Sequence, residues 1–275
     1  MLGRSLLLPY ELIAIGMASE MPDAVVLAGG ADRGEILAAT GVAYRPLLEV
    51  GGRPIVQRVL AALRGAVSVG DVILVAPQPV HDACGDDAVD RRVLASDSFV
   101  ENIVNGVEQA SPRADSVLIV TGDLPLLTPA AVNDLCQQAA AARAEAAYPI
   151  IPKESCERAF PGGKRTYVRL REGMFTGGNA VVLARGFASQ RRELIAHLFA
   201  ARKNPLKLAS MFGLGFIFGL LTGRLSLPQL EARASELIHG RVAAIISPYA
   251  ELGFDVDKLS DLLLARQVVE TYRAS

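Results

Sequence analysis

The sequence predicts an α/β protein with a mainly parallel central sheet covered by helices on both faces. Two observations carry this reading. Short runs of β-branched and aliphatic residues alternate with longer stretches rich in alanine and leucine. Those short runs are apolar at nearly every position, as strands are when both faces of a sheet are covered. A chain of 275 residues is long enough to enclose one large core.

The elements follow in order. DAVVLAGG (Asp23–Gly30) reads as a strand that stops in two glycines, and PIVQRVLAALRG (Pro54–Gly65) as a helix opened by the Gly51–Gly52–Arg53–Pro54 turn. DVILVAP (Asp71–Pro77) is a second strand and FVENIVNGVEQA (Phe99–Ala110) a second helix. SVLIVTGD (Ser116–Asp123) is a third strand. The helix after it has Thr128 as N-cap and Pro129 at its first position, where a missing N–H does no harm. AEAAYPIIP (Ala144–Pro152) returns as a fourth strand. RTYVRLREG (Arg165–Gly173) then alternates charged and apolar residues, the pattern of an exposed antiparallel strand. A short buried strand in GGNAVVL, an amphipathic helix in RRELIAHLFAARK, an apolar tract, a charged helix in PQLEARASELI, a strand in RVAAIIS and a closing helix from Ser260 complete the chain. Residues 1–22 read as an N-terminal extension and 23–275 as one domain, with an acceptor-side and helical insertion at about 150–240. The apolar run of the extension is broken by Pro9 and Glu11 and flanked by Arg4, which disfavours a secretion signal.

Composition narrows the function. A net charge of −1 and a pI near 6.3 give no electrostatic ground for nucleic-acid binding. Cys84, Cys136 and Cys156 are widely spaced without a metal-ligand pattern and suit a reducing cytoplasm. His81, His197 and His239 do not stand at helical spacing, so a histidine-built zinc site is not expected, and His239 before Gly240 fits a helix C-terminus. Neither the G-x-G-x-x-G dinucleotide fingerprint nor the G-x-x-x-x-G-K-[ST] phosphate loop occurs.

In an open parallel sheet ligands bind beyond the carboxyl ends of the strands. The first strand ends in Ala28, Gly29 and Gly30, where bare backbone can close on a phosphate, with Arg33 as a counter-charge. The third ends in Asp123, a carboxylate placed to hold Mg²⁺ against phosphate oxygens. Asp255 and Asp257 follow the last predicted strand; without a ligand, Asp257 or Ser260 would simply cap the helix.

Together VVLAGG, RPLLEVGGRPIVQRVL, VTGDLPLL and GFDVDKLSDL resemble the nucleotidylyltransferases of the molybdenum-cofactor guanylyltransferase type, over roughly residues 23–150 and 240–272. The resemblance implies a three-layer α/β/α nucleotidyltransferase fold with a small antiparallel acceptor-side subdomain. It further implies that Ala28–Gly34 wraps an NTP triphosphate, that Arg45 stands at the family's lysine position, and that Asp123 and Asp257 bind Mg²⁺, with Asp255 sharing or taking over that role. Ser98, Asn102 and Gly106 fall where related enzymes read the base. For a phosphorylated acceptor the sequence offers Lys153, Lys164, Arg165, Thr176, Gly178 and Asn179. The implied reaction transfers NMP to that acceptor and releases pyrophosphate. Two alternatives stand beside it: a nucleotide-sugar glycosyltransferase, although TGDLP lacks an Asp-x-Asp motif, and a non-catalytic nucleotide-binding protein of the same fold.

The uncharged tract Leu208–Gly223 is shorter than the ~20 residues that span a bilayer. Gly215, Gly219 and Gly223 recur every four residues, which predicts close helix packing within the chain or in a homodimer. A lid over a lipophilic acceptor and a membrane-surface contact are the other readings.

Overall fold

The structure, a computed structural model, describes residues 21–31, 34–201 and 213–274. Residues 1–20 of the expected extension, the candidate Arg33, and 208–212 of the apolar tract lie outside the described residues.

The first half contains β1 (Asp23–Leu27), α1 (Glu35–Thr40), the small hairpin β2 (Glu49–Val50) and β3 (Arg53–Pro54), α2 (Ile55–Arg64), β4 (Val72–Ala76), α3 (Gln78–Asp82), β5 (Arg91–Leu94), α4 (Phe99–Glu108), β6 (Ser116–Thr121) and α5 (Pro129–Ala142). Then come β7 (Ala146–Pro152), α6 (Lys153–Ala159), β8 (Val168–Leu170), β9 (Gly173–Gly177), β10 (Ala180–Ala184), α7 (Phe187–Gln190) and α8 (Arg192–Ala201). The described chain closes with α9 (Leu214–Leu221), α10 (Leu227–Ile238), β11 (Val242–Ile246) and α11 (Leu259–Ala274). Among the described residues nine strands form one sheet, ordered β5-β4-β1-β6-β10-β7-β9-β8, with β11 paired to β7.

β1 is buried along its whole length, and its alternation feeds two cores. Ala24 and Val26 join a cluster with Leu60, Leu63, Val132 and Leu135 of α2 and α5. Val25 and Leu27 join another with Ile103 and Val107 of α4. The period of two thus sends successive side chains into opposite helical layers. Gly106 belongs to this packing. A β-carbon there would run into Val25 and Val75, so the residue lets α4 close on the sheet.

The sheet differs from simple parallel succession at one place. β10 lies antiparallel between β6 and β7, so the fourth predicted strand does not adjoin the third. β9 and β10 take the two ends of one edge of β7, and β11 takes the other edge in parallel. β5 was not expected because it opens with two arginines. They face the margin, where Arg91 pairs with Asp71 at 3.0 Å and Arg92 bonds the carbonyls of His81 and Cys84. Thr128 caps α5 by accepting from the Ala131 N–H, and His239 ends α10 in the left-handed conformation, φ 50°.

The glycine stripe behaves differently from its expectation. Gly215 has nothing within 4 Å of a would-be β-carbon, and Gly219 meets Leu225 only at an ordinary 3.8 Å. Gly223, at φ 66°, terminates α9, and Arg224 N–H returns to the Gly219 carbonyl. The stripe therefore ends with the helix and makes no close helix contact within the described chain. Phe216 and Leu220 pack on Ile150, Leu170, Phe175 and Leu225, while Phe218 and Leu221 are 62% and 81% exposed. No helix among the described residues is long and apolar enough to cross a membrane.

The close packing at Gly106 predicts that Gly106→Ala destabilises the protein by about 1–3 kcal/mol through overpacking. Urea unfolding measures this; an unchanged midpoint would contradict the assignment.

Candidate active site

The parallel strands deliver their carboxyl ends to one rim of the sheet, and the loops leaving that rim interlock. Ala28 is fully buried under the turn, and Gly29 and Gly30 lead away from it. The Arg45 N–H donates to the Gly30 carbonyl at 3.1 Å, and Ala31 bridges to Tyr44. The Arg45 side chain runs beside Gly30, where a β-carbon would stand 3.6 Å from Nη2. At the end of β6, Gly122 donates to Leu27 O at 2.9 Å, and a side chain there would crowd Ala28 at 2.7 Å. This close approach of β1 and β6 brings Asp123 beside the glycine turn.

The C-terminal loop enters from the far end of the chain. Val256 N–H donates to the Asp123 carbonyl at 3.2 Å, and Arg45 Nη1 donates to Val256 O at 3.4 Å. The same guanidinium is ion-paired with Asp257 and lies 3.8 Å from Asp123 Oδ2. Asp255 is held by Arg165, 3.5 Å from its carboxylate, and Arg165 also stacks over Phe254 at 4.6 Å. Asp261 Oδ2 accepts the N–H groups of Asp257 and Lys258 at 3.2 and 3.0 Å, and Glu35 accepts that of Leu259 at 2.8 Å. The cap expected from Asp257 or Ser260 therefore comes from Asp261 and Glu35, which leaves the Asp257 carboxylate turned toward Arg45.

Burial pushes the Asp123 carboxyl above its usual range, and the Asp257 charge adds to this, while Thr121 and Arg45 oppose it. Among the described residues its Oδ1 is buried without a hydrogen-bond partner. The Thr121 hydroxyl favours the charged form by proximity but does not reach that oxygen in bonding geometry. Asp255 is pushed up to about 7, first by burial and then by the charges of Asp123 and Asp257, against the pull of Arg165. Such a set fits a hard divalent cation: carboxylate oxygens, one of them orphaned, in mutual repulsion that a cation would relieve. Among the described residues no three or more His, Cys, Asp or Glu are grouped so that they could hold a metal ion by themselves. Magnesium is commonly held by one or two carboxylates with substrate phosphates supplying the rest.

The other candidates divide. Lys164, Arg165, Thr176 and Asn179 line a polar pocket of about 270 Å³ together with Asp255, Asp257 and Lys258. The Asn179 backbone fastens this wall, donating to Leu252 O at 2.7 Å and accepting from the Thr121 N–H. Gly178 is packed on Pro149 and its carbonyl accepts the Tyr148 hydroxyl at 2.7 Å, a supporting position. Lys153 pairs with Glu157 at 3.3 Å, lies over Tyr167 and is not among the residues lining the pocket. On the base side Ser98 caps α4 by accepting from Glu101 N–H. Asn102 is buried with its amide bonded to both backbone groups of Ser96, and its Nδ2 stands 3.8 Å from a β-carbon placed on Gly29. Both therefore brace the loops that frame the glycine turn. Sequence reading passed over Lys258 and Asp261, although both sit in the quoted DKLSDL stretch. The helical register from Asp257 was the available signal.

With this geometry in place, comparison defines the class. Residues 24–210 match the MobA-like NTP transferase domain, and the chain belongs to that family. A solved hypothetical transferase from Thermus thermophilus is 38% identical, with a TM-score of 0.79, covering 88% of this chain and 99% of its own. The CMP:2-keto-3-deoxy-manno-octonic acid synthetase solved with CTP shares the fold at 16% identity and a TM-score of 0.61, over 91% and 99% of the two chains. The 4-diphosphocytidyl-2C-methyl-D-erythritol synthase of Anaerococcus prevotii does so at 11% and 0.57, over 92% and 99%. The protein is a transferase of the nucleotidyl class, on the expected mixed α/β fold.

A carboxyl group whose pKa is raised by folding binds protons more tightly in the folded chain than in the unfolded one. Its favourable contribution is complete below the ordinary value of 3.8 and is lost as pH climbs through about 7. The metal-free protein should therefore lose stability across that window, and Asp255→Asn should flatten part of the decline. Urea midpoints measured from pH 4.5 to 8 test this; identical slopes in both proteins would contradict the crowding described for Asp255.

Proposed function

We propose that this protein transfers a nucleoside monophosphate from an NTP to a phosphorylated small-molecule acceptor, with Mg²⁺ as cofactor and pyrophosphate as the leaving group. The observation that carries the reading is the Arg45 guanidinium lodged between Asp123 and Asp257 beside the glycine turn. One cationic fork among carboxylates, next to open backbone, is what a polyphosphate and its counter-ion require.

The Gly29–Gly30 backbone would receive phosphate oxygens, and Arg45 would neutralise charge gathering on them as the bond breaks. An oxygen of the acceptor phosphate attacks the α-phosphorus. A new P–O bond forms as the bond to the bridging oxygen breaks, and that electron pair leaves with pyrophosphate. A phosphate monoester is already largely ionised near neutral pH, so a general base is unnecessary. Catalysis is positioning and charge neutralisation. Asp123 and Asp257, with Asp255 adjoining, would hold Mg²⁺, which supplies further charge neutralisation when bound. Thr176 and Asn179, with exposed Lys164 at the rim, are the groups offered to the acceptor head. CTP in the solved synthetase makes cytidine one of four bases to assay. The buried free thiols of Cys84, Cys136 and Cys156 accord with a cytoplasmic setting.

Asp123→Asn keeps the shape of the side chain but binds Mg²⁺ poorly. It should reduce Mg²⁺-dependent pyrophosphate release by about 100-fold or more with little change in melting temperature. Turnover at the wild-type level would refute the role. For Arg45, replacement by alanine should lower turnover strongly and replacement by lysine should retain part of it. Full activity of Arg45→Ala at saturating NTP would show that the phosphates lie elsewhere.

A further inference from the structure

A cavity of about 580 Å³ lies between the sheet and helices α9 and α10, a volume typical of small-ligand sites, about 300–1,000 Å³. Ile150, Phe175, Phe216, Leu220 and Leu230 form much of its wall. Two of its polar lining groups, Glu231 and Tyr148, already have partners, and Thr176 lies where the cavity meets the polar pocket. Glu231 accepts the Ala244 N–H at 2.8 Å, and the Tyr148 hydroxyl donates to Gly178 O at 2.7 Å. A sugar, base or phosphate placed here would lose its water without replacement hydrogen bonds, whereas hydrocarbon would gain.

The cavity adjoins the candidate active site. Thr176 and Gly177 line both it and the polar pocket that holds Asp255 and Asp257. Tyr148 stands at the boundary, with its ring on the apolar side and its phenol near enough to Asp255 to feel that charge. A β-carbon at Gly177 would strike the Tyr148 hydroxyl, so the Tyr148 side chain covers this strip of backbone and stands between the two spaces.

We propose that this cavity takes the hydrocarbon portion of the acceptor, which makes the acceptor the phosphate monoester of a lipophilic alcohol. The phosphate head lies at the polar pocket, and rotation of the Tyr148 side chain away from Gly177 lets the chain pass into the space under α9 and α10. The head-group placement rests on the nucleotidyl-transfer reading; the tail placement rests on the cavity.

The test uses the full chain with methyl, butyl and decyl phosphate as probes. Calorimetry should show decyl phosphate binding at least 100-fold more tightly than butyl phosphate, since each buried methylene contributes about four-fold. Ala234→Trp and, independently, Ala244→Met place bulk in the cavity, away from the carboxylates. Either variant, once shown to be folded by its melting curve, should erase most of that gain and leave methyl phosphate unaffected. Equal affinity for butyl and decyl phosphate, or decyl affinity untouched by both variants, overturns the proposal. Pyrophosphate release with the four NTPs separates the two readings. Turnover of methyl phosphate without any dependence on chain length keeps nucleotidyl transfer and removes the tail pocket. Tight, cavity-dependent decyl binding without pyrophosphate release from any NTP keeps the pocket and removes the transfer reading.

Discussion

The contact of Arg45 with Asp123 and Asp257 joins parts of the chain as far as 212 residues apart, and the site's shape depends on it. Three carboxylates, Asp123, Asp255 and Asp257, are gathered here: the charge of Asp257 adds to the raising of Asp123, and the charges of Asp123 and Asp257 add to the raising of Asp255. Left alone they would repel the C-terminal loop from the sheet. Arg45 on one side and Arg165 on the other hold that loop in place. The backbone helps, because Val256 is bonded through its N–H to Asp123 and through its carbonyl to Arg45. The protein's own contacts thus position the cluster and, among the described residues, leave a buried oxygen of Asp123 unpartnered.

Everything that brings these groups together follows from the sheet. Parallel β1, β4 and β6 open their carboxyl ends on one side, and the bare backbone at Gly29–Gly30 and Gly122 lets the loops lie against one another. β9 and β10, each antiparallel to β7, then build a second wall, from which Thr176 and Asn179 line the polar pocket. The face of β7 and β9 that carries Ile150 and Phe175 meets α9 and is apolar. One sheet edge therefore separates a charged chamber from a dry one.

Much of this was legible in the sequence, and the reasons differ by element. The buried strands and amphipathic helices of residues 23–152 declare themselves because burial on two faces leaves no polar position in a strand. Asp123 was legible because loop position at a strand end is itself a chemical signal, whereas the roles of Arg45 and Asp257 came from the resemblance of their stretches to the nucleotidylyltransferases. Less legible were positions where a residue's type suits several roles. Gly106 suits a binding loop or a tight helix–sheet contact, and Val25 with Val75 decides for the latter. Lys153 suits an acceptor site or a surface pair, and Glu157 at i+4 takes it. The glycine spacing of the apolar tract implied a packing stripe, but Gly223 ends the helix, so the stripe has no length over which to pack. The insertion of β10 between β6 and β7 depends on long-range pairing that no local pattern encodes.

The central claim is that Asp123 and Asp257 act as one charge-handling unit with Arg45 between them. A double-mutant cycle on Mg²⁺-dependent pyrophosphate release, using Asp123→Asn, Asp257→Asn and the double variant, tests it most directly. Groups that act as a unit are strongly non-additive, so the double variant should lose little more activity than the worse of the two single variants. Losses that multiply would show two independent carboxylates and contradict the account.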